Sequence, residues 1–468
     1  MNGKREHQKK SFFVVGPLVL MIGVFFCVNL SWAHEFGWGS LDVRSNTQYL
    51  LHWSDGPNDE LVSDDPNDQD IIEVLGIDAT HTASGVSFSF LGKYQKDLDG
   101  TAFGSIYQDY VDVSSDDRQR FDAYYAYFEK DDLIDGIDMR IGRQYAYGAE
   151  TVHFDGLYFR GEGIGADWFD FEVYGGAIVQ LYSDLTQDGV GGVNLAFRPN
   201  RDLTLRLESV FYQNTSTEGS FYWRPMEDVK VRGRWALIDE HNRDWDVDIV
   251  GTCPMTNTTI GINVYKRYTV KVEDDFIYDF TYSVNENLSK DIKRLYLGRE
   301  LGYIDYTLSL SQPIPHQEGL TAFARFTTRR LSHDSEEDLY NTNFYAWTLG
   351  FTMDNWWRFH GTKLTLGYTK WYEDRNDLYE TESTSVFGDL TQEINEKFIV
   401  GAGFYYKTED VNSLIEGEAA QQYYGLCRYR LGPEKWAELK YEYERDDYYR
   451  EFGVSGINAL TATINFSW

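Results

Sequence analysis

Leu460-Thr461-Ala462-Thr463-Ile464-Asn465-Phe466-Ser467-Trp468 alternates strictly in steps of two. Successive strand side chains point to opposite faces, so Leu460, Ala462, Ile464, Phe466 and Trp468 share one side and the four polar residues share the other. One face is apolar and ends in aromatics, while the other is small and hydrophilic. That division suits a strand with hydrocarbon on one side and a wet lumen on the other. The competing reading is the terminal strand of a soluble sandwich.

The same pattern recurs upstream. Leu203, Leu205, Leu207, Ser209 and Phe211 alternate with Thr204, Arg206, Glu208 and Val210. Ile304, Tyr306, Leu308 and Leu310 alternate with Asp305, Thr307 and Ser309. Val229, Val231, Gly233, Trp235 and Leu237 alternate with Lys230, Arg232 and Arg234, as do Ala437, Leu439, Tyr441 and Tyr443 with Glu438, Lys440, Glu442 and Glu444. The apolar set of each is expected to face lipid. A slip of one residue would turn every charge into hydrocarbon, at about 2–4 kcal/mol for each midplane Lys or Arg, so the register is firmly specified. Segments near Phe221, Phe276 and Lys293 alternate poorly.

Two kinds of interruption separate these runs. Tight ones fall at residues 82–85, 131–136, 199–202, 224–228, 253–257, 313–319, 393–396 and 431–434; longer acidic ones fall at 54–70, 97–118, 332–338, 373–382 and 408–419. Short turns on one side and long loops on the other is how outer-membrane barrels are built, with the turns periplasmic and the loops extracellular. The expected fold is all-β: a single large antiparallel transmembrane β-barrel of about 18–24 strands over residues 34–468.

Composition agrees. Among 468 residues there are 35 Tyr, 13 Trp and only 9 Pro, and no Pro/Gly/Ser-rich linker divides the chain. Tyr and Trp carry an apolar body and a polar tip, which fits strands that cross two membrane–water interfaces. Mean hydropathy is −0.48. A barrel needs apolar residues only at alternate strand positions, so that average is no objection.

Lys4, Arg5, Lys9 and Lys10 precede an apolar run from Phe12 to Leu30, and Ser31-Trp32-Ala33 places small residues where a signal peptidase reads. Residues 1–33 are therefore expected to be a cleaved secretory signal, the alternative being an uncleaved anchor. The net charge of −32 excludes nucleic acid as a partner by repulsion. Beyond the signal only Cys253 and Cys427 remain, expected as two lone thiols of the buried type, the alternative being a disulfide between them. No Cys-x-x-Cys-His occurs, so no covalent haem is expected, and no Cys/His spacing suits zinc.

A barrel of this size cannot fill its interior with side chains. Strand parity places Arg206, Lys230, Arg232, Arg234, Arg325, Arg329, Arg428 and Arg430 on the inward face, together with Glu208, Asp305, Glu438, Glu442 and Glu444. The functional reading is a basic track that draws anionic solutes past acidic loops. The bland reading is a solvated wall whose opposite charges pair across strands.

Arg140-Ile141-Gly142-Arg143-Gln144, then Tyr147-Gly148 and Phe154-Asp155-Gly156-Leu157, resembles the strand-loop-strand segment of the alginate-export family of outer-membrane barrels. That family forms 18-stranded barrels with an arginine-rich, anion-selective pore for an acidic polysaccharide, and some relatives act as porins. The resemblance implies that Arg140 and Arg143 lie near the pore wall. On a structural reading, Gly142 and Gly148 permit a tight loop and Arg143 pairs with an acid such as Glu150. The final strand resembles the C-terminal signal read by the outer-membrane insertion machinery, with Trp468 as its last aromatic.

Two acidic runs, Asp64, Asp65, Asp68 and Asp70, and Asp97, Asp99 and Gly100, offer oxygen donors. Neither has the spacing of a twelve-residue calcium loop, so no metal site is assigned from sequence. Gly-x-Ser-x-Gly is absent and no nucleophile–base pair is evident, so no enzyme and no cofactor are expected. The expected function is a porin-like channel for small anionic or saccharide solutes, with outer-membrane lipid and lipopolysaccharide around it. The alternative is a haem-free sheath around multihaem cytochromes, as in porin-cytochrome electron conduits.

Overall fold

A computed structural model describes residues 34–37, 39–54, 67–100, 118–164, 167–179, 189–212, 214–269, 302–332, 342–355, 360–374, 380–411, 418–446 and 456–467. Residues 1–33, expected as a signal, Trp468 and the weak segments around Phe276 and Lys293 lie outside them. In chain order the strands are β1 (His34–Phe36), β2 (Gly39–Ser54), β3 (Asn67–His81), β4 (Val86–Asp97), β5 (Gln119–Ile134), β6 (Ile137–Ala146), β7 (Val152–Glu162) and β8 (Phe169–Ile178). There follow β9 (Gly189–Asn200), β10 (Leu203–Phe211), β11 (Thr215–Met226), β12 (Val229–Ile238), β13 (His241–Cys253), β14 (Thr258–Arg267), β15 (Tyr303–Pro313) and β16 (Leu320–Leu331). The last seven are β17 (Asn343–Asp354), β18 (Thr362–Asp374), β19 (Glu380–Glu393), β20 (Phe398–Val411), β21 (Glu418–Gly432), β22 (Lys435–Asp446) and β23 (Ile457–Ser467).

Each strand pairs antiparallel with the next, and β23 returns to β2 in register from Arg44↔Ser467 to Ser54↔Ile457. The sheet therefore closes into a barrel of 22 strands, with the three-residue β1 folded back on β2 outside the ring. Closure leaves no unpaired edge, which is the condition for a sheet to sit in hydrocarbon.

The ladder fixes the two faces. Ile262, Leu308, Phe326 and Trp347 sit side by side on β14 to β17, and Leu308 and Phe326 are 50% and 42% exposed, on a face bearing many other exposed apolar side chains. This is the outer belt. Thr307 and Thr327, Asp305 and Arg329 pair on the opposite, lumen face. Every alternation described above for β10, β12, β15, β22 and β23 has the described residues of its apolar set on the outer belt. β11 exists despite its poor alternation, because its outward positions Thr217 and Gly219 face Leu237 and Trp235, and the partner strand carries the apolar surface.

The tight connections read from the sequence fall at one end, between β3 and β4, β5 and β6, and so on to β21 and β22. At the loop end the wall is low around β10 to β13. There Asp239 and Glu240, at φ 45° and 70°, join Ile238 to His241 in the two-residue form that needs two left-handed residues.

Candidate functional site: the charged lumen wall

The connection from Ala146 to Val152 does not project from the loop end but folds inward. Tyr147 O accepts from Asn194 Nδ2 of β9 at 3.0 Å, and Glu150 Oε1 accepts from Ser216 Oγ of β11 at 2.7 Å. Glu150 also pairs with Arg243 of β13. The loop thus spans the inside of the wall over β8 to β13. Ala149 and Val152 pack with Phe154, Tyr174, Val210 and Ile238 in a buried apolar cluster on the lumen side.

A charged cluster anchors that loop. Arg243 is 3% exposed and occupies a bulge, where the β12–β13 register shifts between Ala236 and Leu237. Its Nε donates to Asp244 Oδ2 at 2.8 Å; Arg234 donates to Asp244 Oδ1 at 2.8 Å and approaches Glu218 at 3.4 Å; Arg267 lies 3.6 Å from Asp244. Three guanidinium groups thereby face three carboxylates, Glu150, Glu218 and Asp244. A buried charge survives only when paired and hydrogen-bonded in this way. The sequence reading missed Arg243 and named Glu150 only as an acid that could pair with Arg143. The one signal for Arg243 is its adjacent Asp244.

The expected pore residues divide into three groups. Arg143 is a correction: it lies on the outer face, beside Ile141, and pairs with Asp155 at 2.8 and 2.9 Å. Arg140 and Arg143 are three apart, and in an unbroken strand an odd separation forces opposite faces. The acid that meets Arg143 is Asp155, not Glu150.

A second group stands in the lumen but is already paired. Arg140 donates to Glu129 at 2.7 Å with Tyr127 and Tyr158 rings at 5.3 and 5.4 Å. Arg329 holds Asp305 through two bonds of 2.8 Å against Tyr303; Arg428 holds Glu438 at 2.7 Å over Trp436; Arg430 reaches Glu393 at 2.9 Å; Arg234 belongs to the cluster above. For these the cross-strand pairing reading is the correct one.

The third group keeps its charge available. Arg206, Lys230 and Arg325 are exposed on the lumen face and form no ion pair with any described residue, and Arg232, 63% exposed, has only a loose contact of 3.6 Å with Asp248. Arg206 pairs in the ladder with Ser220, which pairs with Arg234, and Arg232 pairs with Tyr222. Together these residues line an open groove of about 600 Å³ on the wall of β10 to β13.

Gly142, at φ +130°, has a packing role in the arginine motif. A Cβ there would lie 2.3 Å from the carbonyl oxygen of Ala126. Gly142→Ala is expected to destabilise the barrel by about 1–3 kcal/mol, since both backbone conformation and contact oppose it. Urea unfolding followed by tryptophan fluorescence tests this, and an unchanged midpoint would refute it.

No protein-family model and no curated protein matches this chain. Solved structures resemble it in shape. They include a BenF-like porin from Pseudomonas fluorescens Pf-5, at 12% identity and TM-score 0.44 over 92% of this chain and 99% of that one. OccAB3 of Acinetobacter baumannii gives 10% and 0.44 over 92% and 99%, and the translocation pore of the P pilus usher PapC gives 7% and 0.47 over 91% and 99%. The class defined by this chain's own ladder is a closed β-barrel with an apolar outer belt and a polar, charged lumen.

Proposed function

We propose that the protein is a passive outer-membrane channel for small anionic or saccharide solutes, exported by a signal in residues 1–33 and inserted with its turn end in the periplasm. The observation that carries this reading is the set of lumen cations that form no ion pair with any described residue, Arg206, Lys230 and Arg325, with Arg232 nearly so. A cation that is already neutralised does not attract an anion, whereas an unpaired guanidinium on a low-dielectric wall focuses field into the water beside it. Ser220 and Tyr222 add a hydroxyl and an amphipathic ring next to Arg206 and Arg232, which suits a sugar carrying carboxylates. The alginate-export resemblance points to the same solute class. Arg143 contributes nothing to it.

Planar-bilayer recording tests the proposal. Wild-type protein is expected to conduct and to give an anion-selective reversal potential in a salt gradient, and Arg206→Ala, Arg232→Ala and Arg325→Ala combined should shift it toward cations. No conductance would overturn the channel. An unchanged reversal potential in the triple variant would overturn the arginine track.

Strand number favours a second reading. Barrels of about 16–18 strands already hold an aqueous channel, and those of about 22 commonly hold a plug. A partner such as a multihaem cytochrome could occupy the space left by the inward loop. Co-purification of a haem protein with the barrel from its native membrane distinguishes this from an open channel.

A further inference from the structure

At the loop end of β3 and β4 stand three carboxylates that the channel reading does not use. Asp68 near the start of β3, Asp97 at the end of β4 and Asp99 just beyond it each place a carboxylate oxygen within 4.8 Å of the others. The ladder explains the convergence. Asp70 pairs with Asp97, and Leu98 N donates to Gln69 O at 2.8 Å, so the ribbon continues past the strand and brings Asp99 opposite Asp68. Asp68 and Asp97 lie on the lumen face, where His52 of β2 pairs with Asp68 and sets Nδ1 3.3 Å from its Oδ2.

The donors are held in place from behind. Gln69 N and Nε2 each donate to Asp99, to Oδ1 and Oδ2, at 3.0 Å. Asp97 Oδ1 accepts from the backbone N–H groups of Asp99 and Gly100 at 3.0 and 2.6 Å. Asp97 is only 3% exposed, as is Asp68. The decisive observation is Asp97 Oδ2, which is sealed from solvent and accepts from no donor among the described residues. Such an oxygen beside two other carboxylates is costly unless a cation faces it.

Spacing and donor type identify the cation. Oxygens bound to one Ca²⁺ at about 2.3–2.6 Å lie at most about 4.6–5.2 Å apart. Three carboxylates without thiolate select a hard ion. We propose that Asp68, Asp97 and Asp99 form a binding site for a divalent cation of the Ca²⁺ class at the channel mouth, with water completing the coordination. The ion ties the end of β4 to the start of β3 and thereby anchors the two loops that leave there. It also removes negative charge from the approach to the lumen. Neither acidic run has calcium-loop spacing by itself, and the site exists only because β3 and β4 are neighbours.

The test uses the full mature chain refolded in detergent free of lipopolysaccharide, stripped with EDTA and titrated with CaCl₂ in a calorimeter at near-physiological salt. The expected result is one saturable Ca²⁺ per chain, weakened about ten- to hundredfold in Asp97→Asn and unchanged in Asp389→Asn, an exposed acid on β19 away from the cluster. Ca²⁺ should also raise the unfolding temperature of wild type and not of Asp97→Asn. No saturable binding, or equal binding by wild type and Asp97→Asn, overturns the proposal, as does diffuse weak uptake that is the same in every variant. Should Asp97→Asn fail to refold, as judged by heat-modified gel mobility, Asp68→Asn is read against the same criteria.

Discussion

Arg243→Ala is expected to cost about 3–5 kcal/mol, the range for removing one partner of a buried charge pair. Arg243 joins Glu150 of the inward loop to Asp244 of its own strand, and both acids are almost fully buried. Truncation strands Glu150 with Ser216 as its remaining hydrogen-bond partner among the described residues. The loop should then detach from the wall, and single-channel recordings should become noisier as it fluctuates in the lumen. Glu150→Gln should cost less, because the amide oxygen still accepts from Ser216 and Arg243. Chemical unfolding in lipid vesicles measures both. A loss for Arg243→Ala no larger than the roughly 0–1 kcal/mol of an exposed pair would show that the loop is not anchored there.

The second large effect compares adjacent residues at one depth. Leu308→Arg is expected to destabilise the inserted barrel by about 2–4 kcal/mol, and Thr307→Arg by far less. Both lie at the middle of β15, but Leu308 is on the outer belt between Ile262 and Phe326, whereas Thr307 faces the lumen opposite Thr327. An arginine at position 308 must either enter hydrocarbon or drag water with it, while at 307 it meets water already present. Equal losses at the two positions would mean that the apolar face does not meet lipid. The whole assignment of faces would fall with that result.

Much of the barrel was legible because a strand's side-chain period of two is a local property. Leu308 and Thr307 declare opposite faces with no knowledge of their neighbours, and the tight connections at residues 82–85 or 199–202 announce themselves through turn residues. The Arg143 expectation followed the family resemblance and not that period: position 143 shares the parity of Ile141, and position 140 does not. β11 was hard to read because two of its outward positions carry Thr217 and Gly219, and the apolar surface there comes from the partner strand.

The charge state of the lumen was not legible. Whether an arginine is free or neutralised depends on what the ladder sets beside it across strands. Arg329 meets Asp305 and Arg428 meets Glu438, yet Arg206 meets Ser220. Likewise the sequence alone determined the all-β alternating chain, its outer belt and its two kinds of connection, since these follow from period and turn chemistry within a few residues. Only the tertiary structure decided the closure at 22 strands, the inward course of the loop pinned by Glu150 and Arg243, and the meeting of Asp68 with Asp97 and Asp99. Those features join residues far apart in the chain, and nothing in the spacing of a single segment specifies which distant strand will carry its partner.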